Sequence, residues 1–132
     1  MGNRDNSYDF FHELIAHEEM ARIGAYGVMD GIKTGFSIGL PPVLTFGKIG
    51  LKNKIVKEIM EGKKMICLAV TDDGAGSDVA GLGAKAVKSP CGKFYIVNGR
   101  KKWITNGTFA DYFCTAVRTG GPGVSGISML II

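Results

Sequence analysis

The sequence predicts an α+β fold, with an N-terminal helical segment followed by an antiparallel β-sheet or partial barrel. Apolar residues recur at near-helical spacing before Gly62 and alternate with a period of two after it. Apolar residues also make up 45% of the 132 positions, which is too many for a disordered chain. The last predicted strand is still apolar at Ile132, so we expect the chain to be a piece of a longer protein.

Three helices are predicted in the first half. The first spans about residues 10–24, and its N-terminal cap is expected among the short polar side chains at residues 5–7. The second spans residues 26–40 and is ended by Pro41-Pro42, because proline disfavours helical backbone in the residue before it. The third is a short basic helix at residues 51–60.

The second helix carries a glycine at every fourth position, namely Gly27, Gly31, Gly35 and Gly39. Residues four apart share one face of a helix, so these glycines form a smooth ridge that another element can approach closely. Two interpretations remain open. The ridge is either a packing surface of a soluble helix or a wall beside a ligand pocket.

Alternating apolar residues predict short strands after Gly62, at residues 65–71, 82–87, 94–97, 100–105, 111–118 and 124–132. Asn98-Gly99 predicts a tight hairpin between the third and fourth strands, because both residue types tolerate the positive φ of a type I′ turn. Short strands joined by tight turns are typical of an antiparallel sheet or partial barrel.

Charge and cysteine content exclude several classes of protein. The net charge of +4 favours an anionic partner, and a phosphorylated ligand fits this charge as well as nucleic acid does. The lysines between residues 48 and 64 have no interleaved aromatic residues for base stacking, so we expect no nucleic-acid partner.

The three cysteines are widely spaced, so they indicate neither a disulfide framework nor a zinc site. No apolar run is long enough for a membrane span. We expect an intracellular protein, with mitochondrion, peroxisome and cytoplasm left open.

The most informative loop is LAVTDDGAGSDVAGL, at residues 68–82, where an apolar strand ends in small, hydroxyl and carboxylate residues. The spacing of its three aspartates does not match a calcium loop, and its glycines match neither the dinucleotide fingerprint nor a P-loop. Backbone N-H groups, the hydroxyls of Thr71 and Ser77, and open glycine positions remain as ligand contacts. From these residues alone, the loop is either a binding loop of unspecified ligand or an ordinary acidic turn.

A second segment, KKWITNG at residues 101–107, places the only tryptophan, Trp103, two positions from Thr105. A single tryptophan belongs to a core more often than to a ligand surface. Together with the first loop, however, a flat indole beside a hydroxyl predicts a site for a ring.

The two segments also resemble a known family. CLAVTDDGAGSDVAGL followed by VNGRKKWITNGTFADYF resembles the acyl-CoA dehydrogenases, whose middle β domain carries a Thr-Glu-Pro-x-Ala-Gly-Ser-Asp motif and then Trp-Ile-Thr-Asn-Gly. The upstream HEEMARIGAYGVMDGIKTGFSIGLPPVLTFG resembles the end of that family's N-terminal helical domain. The resemblance implies that residues 1–62 are the C-terminal part of the helical domain and that residues 63–132 are part of the middle β domain.

The resemblance further implies that the two loops contact FAD. In the family, backbone groups at the positions of Leu68 and Val70 and a hydroxyl at that of Thr71 meet the isoalloxazine ring. Trp103 matches the tryptophan that packs against the flavin, and Thr105 matches the threonine whose hydroxyl reaches its reactive nitrogen. Positions near the phosphates and the acyl-CoA include Ser77, which is also the expected substrate contact. The full set of implied cofactor contacts is Leu68, Val70, Thr71, Gly76, Ser77, Trp103, Ile104 and Thr105.

The reaction implied by the resemblance is α,β-dehydrogenation of an acyl-CoA thioester. Its implied partners are acyl-CoA and an electron-transfer flavoprotein or similar acceptor, and the intact enzyme is expected to be a homo-oligomer. The family's glutamate base lies in a C-terminal helical domain without a counterpart in these residues, so we expect no catalytic residue here and an inactive isolated chain. Asp72-Asp73 stands where the family usually has Glu-Pro, which adds a carboxylate able to repel an anionic ligand.

Two further functional classes stay open at this point. One is a non-catalytic remnant or interaction module that binds flavin or CoA. The other is a related flavin-dependent acyl-CoA or nitroalkane-type oxidase, which would consume oxygen during turnover.

Overall fold

The computed structural model describes residues 9–132, which form a helical half and a five-stranded sheet. The helices are α1 (Phe10–Arg22), α2 (Tyr26–Lys33), a π-helical segment (Thr34–Gly39), α3 (Pro41–Phe46) and α4 (Ile49–Met60). The strands are β1 (Ile66–Ala69), β2 (Lys85–Lys88), β3 (Tyr95–Asn98), β4 (Tyr112–Arg118) and β5 (Ile127–Ile131). The predicted α+β class is thereby confirmed.

Two helix boundaries can be compared with the sequence prediction. Asp9 caps α1 by accepting hydrogen bonds from the N-H groups of Phe11 and His12, at 3.0 and 3.4 Å, whereas the cap expected at residues 5–7 lies outside the described residues. The second predicted helical segment ends at Gly39, just before Pro41-Pro42 as predicted. The two prolines also open α3, which was not predicted, because the fixed φ of proline suits a first helical turn, where no N-H donor is needed. Within residues 9–132, no helix is long and apolar enough to cross a bilayer.

The sheet is mixed and open, whereas the sequence predicted antiparallel pairing. β1 and β4 lie side by side in parallel, with Ile66 opposite Tyr112, and β2 meets β4 in parallel where Lys85 lies opposite Arg118. β5 pairs with β4 in the antiparallel direction. Parallel pairing of β1 and β4 is possible because the long connection between them lets the chain return to the same end of the sheet.

The hairpin predicted across Asn98-Gly99 is wrong. β3 instead pairs antiparallel with β2, and their connection is closed by Ser89, whose N-H donates to the carbonyl oxygen of Phe94 at 2.8 Å. Gly99 is needed for a different reason, since a Cβ there would lie only 2.6 Å from the Cα of Ala84. Residues 100–105, predicted as a strand, form a loop.

The glycine ridge packs against β1. A Cβ at Gly35 would lie 3.2 Å from the carbonyl oxygen of Ile66, and one at Gly39 would lie 3.1 Å from the backbone of Cys67. Such distances are tighter than ordinary side-chain packing allows, so the helical backbone approaches the strand because these side chains are absent. Close packing of the helix, one of the two predicted roles of the ridge, is therefore observed at these two positions.

Two apolar clusters hold the described part of the chain together. The larger joins the helical half to the sheet and consists of Leu40, Val43, Ile55, Ile59, Ile66 and Cys114. The smaller fixes the segment after β1 against the sheet and consists of Ala75, Leu82, Ala84 and Ala116. The second cluster therefore supports the loop that the sequence singled out.

Candidate functional site

Asp72 is the buried centre of the loop that follows β1, which we call the acidic loop (residues 70–78). Its carboxylate accepts hydrogen bonds from the backbone N-H groups of Gly74, Gly83 and Ala84, at 3.2, 2.7 and 3.1 Å. Burial raises the pKa of Asp72, but these bonds and the nearby Lys101 outweigh it and leave the pKa below its ordinary value. Asp72 therefore fixes the acidic loop to the segment that leads into β2.

Lys101 is the basic partner of this carboxylate, and the sequence analysis missed it. Its Nζ donates to the carbonyl oxygen of Val70 at 2.6 Å and lies 3.8 Å from Oδ2 of Asp72. Burial lowers the pKa of Lys101, and the charge of Asp72 opposes that shift. The signal in the sequence was a pair of opposite charge runs, Asp72-Asp73 and Arg100-Lys101-Lys102.

Asp73 is exposed, yet it is also paired with basic side chains. Nε of Arg100 donates to its Oδ2 at 2.6 Å, and Nζ of Lys102 lies 3.4 Å from its Oδ1. The hydrogen bond from Arg100 is the main reason that the pKa of Asp73 lies below its ordinary value. The repulsion expected from an extra carboxylate is therefore reduced, because both aspartates have basic neighbours.

The segment KKWITNG, which we call the ring loop (residues 101–107), crosses the acidic loop. The backbone N-H of Lys102 donates to the carbonyl oxygen of Thr71 at 3.0 Å. Lys101 and Asp72 also form an isolated antiparallel β-bridge. The two segments that the sequence predicted to share a site are thus in direct contact.

Trp103 lies at the surface and not in the core. Its residue surface is 85% exposed, and its backbone φ of +57° falls in the left-handed region, which bulky residues rarely adopt. Nζ of Lys102 lies 5.6 Å from the centre of the indole ring. The structure therefore excludes the core interpretation of this tryptophan and leaves a flat apolar face open to a ligand.

Three of the predicted site positions, Thr71, Ile104 and Thr105, lie at the loop crossing or just after it in the chain. Thr71 is half-buried at the crossing itself, where its carbonyl oxygen accepts from the ring loop. Ile104 is half-buried next to Trp103, and its carbonyl oxygen accepts from the N-H of Gly107 at 2.9 Å. Thr105 is exposed.

Three other predicted positions lie away from the crossing. Leu68 is half-buried within β1, opposite Cys114 of β4. Gly76 and Ser77 are exposed farther along the acidic loop, and a Cβ at Gly76 would meet no atom within 4 Å. These two positions therefore leave room for a bulky group.

A cavity of about 420 Å³ adjoins the ring loop through Lys101, Ile104 and Gly107. Most of its other lining residues are apolar, and several of these, such as Ala69 and Val117, belong to the strands. Trp103 does not line this cavity. The predicted ring face and the cavity are therefore separate features of the surface.

Comparison with known proteins defines the family. The sequence profile of the acyl-CoA dehydrogenase middle domain matches residues 67–132. Over all 132 residues, the chain is 46% identical to acyl-CoA dehydrogenase apdG of Emericella nidulans. An acyl-CoA dehydrogenase structure from Geobacillus kaustophilus matches 96% of the chain with a TM-score of 0.85 and 34% identity. The structure of an acyl-CoA dehydrogenase complexed with FAD from Bacillus anthracis matches 80% of the present chain, with a TM-score of 0.73 and 31% identity. The chain belongs to the acyl-CoA dehydrogenase family.

The chain spans a third or less of each of these relatives. It covers 30% of the Emericella nidulans protein, 33% of the Geobacillus kaustophilus chain and 18% of the Bacillus anthracis chain. Most of each relative is therefore outside the matched region.

Proposed function

We propose that this chain forms the flavin-contacting part of an FAD-dependent acyl-CoA dehydrogenase, which catalyses α,β-dehydrogenation of acyl-CoA thioesters. The observation that carries the proposal is the exposed indole of Trp103. Trp103 has a left-handed backbone conformation and directly follows Lys102, whose N-H donates to the carbonyl oxygen of Thr71. In this proposal residues 1–62 are the end of the helical domain and residues 63–132 belong to the middle β domain.

The residues present fit an isoalloxazine ring. Trp103 offers a flat apolar face for stacking, and the hydroxyls of Thr71 and Thr105 offer hydrogen bonds to polar ring atoms. Gly76 leaves open space beside Ser77, where a phosphate or a thioester chain can approach. The relative from Bacillus anthracis complexed with FAD supports the same cofactor. The proposed FAD contacts are Leu68, Val70, Thr71, Gly76, Ser77, Trp103, Ile104 and Thr105, with Ser77 also touching the substrate.

Exposed basic side chains lie beside the two loops. Arg100 and Lys102 keep 78% and 43% of their side chains exposed although both pair with Asp73. The bases Arg100, Lys101 and Lys102 are balanced by the carboxylates Asp72, Asp73 and Asp78, so the attraction for an anion comes from the net charge of +4 of the whole chain. FAD and acyl-CoA both carry phosphates, which this net charge favours.

Bound FAD would accept a hydride from the β carbon of the acyl chain. The role of this chain is to bind and orient: Trp103 covers a ring face and excludes water from it, and Thr105 places a hydroxyl at the ring. We assign to this chain no base for the α proton. That base is proposed to lie in another part of the intact enzyme. The intact enzyme is proposed to form a homo-oligomer and to pass electrons to an electron-transfer flavoprotein or a similar acceptor.

The test is the visible absorption spectrum of the purified chain after incubation with FAD and removal of unbound cofactor. The expected result is retained flavin with a spectrum shifted from that of free FAD. Trp103→Ala should retain much less, whereas Phe46→Ala, which removes an aromatic ring of 86% exposure from α3, should retain as much as the unsubstituted chain. No retained flavin, or equal retention by the two variants, would overturn the proposal.

A further inference from the structure

Asn106 joins the ring loop to the helical half of the molecule. Its Nδ2 donates to the carbonyl oxygen of Gly31 in α2 at 2.6 Å, between positions 75 residues apart. A Cβ at Gly31 would lie 3.4 Å from Oδ1 of Asn106, an ordinary contact distance, so the amide lies directly against the helix backbone at this position. The bond therefore connects two elements that are distant along the chain.

Asn106 also shapes the turn that follows Trp103. Its backbone φ is +66°, a left-handed conformation that asparagine tolerates better than most residues do. Its carbonyl oxygen accepts hydrogen bonds from the N-H groups of Phe109 and Ala110, at 3.0 and 2.9 Å. Both the backbone and the side chain of Asn106 are thus fixed.

Trp103 lies between two anchored positions. On its N-terminal side, the N-H of Lys102 is bonded to Thr71, and on its C-terminal side Asn106 is bonded to Gly31. Trp103 itself is 85% exposed, so packing of the indole does little to hold it. Its placement therefore depends on the backbone at either side.

The helix that accepts the bond is itself held against β1. The π-helical segment directly after α2 approaches this strand closely at Gly35 and Gly39, as described above. β1 in turn leads into the acidic loop, which contacts the ring loop at Thr71. Helix, strand and both loops thus form a closed set of contacts around Trp103.

We propose that Asn106 is a positioning residue, whose bond to Gly31 holds Trp103 in the orientation that receives a ring ligand. The geometry of the ring face then depends on the helical half. The inference rests on the proposed flavin contact of Trp103, although the motion of the indole can be measured with no flavin present. A purely structural Asn106 would stabilise the turn and leave that motion unchanged.

The fluorescence of Trp103 tests this directly, because it is the only tryptophan in the chain. Asn106→Asp keeps the size and the tolerance of positive φ but presents a carboxylate to the carbonyl of Gly31. Asn106→Gly keeps the backbone freedom and removes the side chain, so it is expected to fold even where the aspartate variant does not. Asn53→Asp, on an exposed position of α4, controls for the added negative charge.

Tryptophan anisotropy, FAD titration, far-UV circular dichroism and urea unfolding are measured for each variant. We expect both Asn106 variants to keep the native circular dichroism, to show lower anisotropy and to bind FAD about tenfold more weakly. Asn53→Asp should behave like the unsubstituted chain.

Unchanged anisotropy in Asn106→Gly would overturn the proposal, and so would an effect confined to the urea midpoint. Loss of the native circular dichroism in both Asn106 variants would make Asn106 a stability residue and would also overturn it. If the unsubstituted chain binds no FAD, the proposed function of the chain fails, while the anisotropy comparison still decides the role of Asn106.

Discussion

Lys101 and Asp72 form a nearly buried ion pair that joins the ring loop to the acidic loop. Nζ and Oδ2 are 3.8 Å apart, and the two side chains are 13% and 5% exposed. The hydrogen bonds of both groups go to the main chain: Lys101 donates to Val70, and Asp72 accepts from Gly83 and Ala84. Removing either charge would therefore leave the other poorly solvated and unpaired.

Asp72→Asn is expected to lower the free energy of unfolding by about 1 to 3 kcal/mol. The amide offers one acceptor fewer to the backbone N-H groups and leaves Lys101 without a counter-charge. Urea unfolding followed by circular dichroism measures the change. Asp73→Asn is the matched control, because this exposed neighbour should leave the urea midpoint nearly unchanged. Equal shifts in both variants would contradict the difference in burial.

The same carboxylate makes stability depend on pH. Burial raises the pKa of Asp72, but backbone hydrogen bonds and Lys101 hold it below its unfolded value. The resulting stabilisation is fully present above the unfolded pKa, about 3.9, and is lost as the pH falls through the lower folded pKa. The stability difference between the chain and Asp72→Asn should thus be constant between about pH 5 and about pH 7, and should shrink below about pH 4. Urea midpoints of both proteins across this pH range measure the stability difference. A difference that stays constant below about pH 4 would contradict the prediction.

Trp103 occupies a backbone conformation that suits glycine. Trp103→Gly is therefore expected to be more stable than Trp103→Ala by about 1 kcal/mol, since alanine retains the strain of positive φ. Neither change removes much packing from this exposed position. At Thr105, whose φ is not positive, the same pair should rank in the opposite order. Thermal or urea unfolding of the four variants decides this, and an identical ranking at both positions would argue against strain at Trp103.

The glycine ridge gives a matched pair of substitutions. Gly39→Ala is expected to destabilise the chain by about 1 to 3 kcal/mol, because the new Cβ would press on the backbone of Cys67. Gly27 faces open space on the same ridge, so Gly27→Ala should leave stability unchanged or raise it by up to about 1 kcal/mol. Urea unfolding compares the two. Similar losses in both would mean that the ridge does not pack on β1 as described.

The 132-residue chain is expected to show no acyl-CoA-dependent reduction of a redox dye, even after loading with FAD. The physical reason is that the proposed base is not among its residues, so binding the flavin does not complete the site. Dye reduction is followed with the chain and acyl-CoA each omitted in turn. Reduction that requires both would show that these residues suffice for turnover.

Hydrophobic periodicity predicted the segments that form α1, α2 and α4 and all five strands. It missed α3, added a strand at residues 100–105, and did not predict how the strands pair. A period of two tells which face of a strand is buried and carries no information about its neighbour. The hairpin at Asn98-Gly99 failed for a related reason: glycine is used both in turns and where backbones approach closely. Here Gly99 serves the contact with Ala84.

At the site, the sequence predicted that the acidic loop and the ring loop belong together, and their contact at Thr71 agrees with this. It did not predict the roles of Lys101 and Asn106. Both side chains donate to backbone carbonyl groups, of Val70 and Gly31 respectively. Every residue has a backbone carbonyl group, so an acceptor of this kind cannot be recognised from the residue type.

The parallel pairing of β1 with β4 also bears on the order in which the chain is expected to fold. Where this pair begins, the N-H of Met65 donates to the carboxylate of Asp111, 46 positions along the chain. The entropy needed to close a loop grows with its length, and contacts between distant residues slow folding. Helical turns can form locally, whereas the acidic loop and the ring loop lie inside the long segment that must close. We therefore expect the ligand face to be among the last parts of the molecule to take shape during refolding.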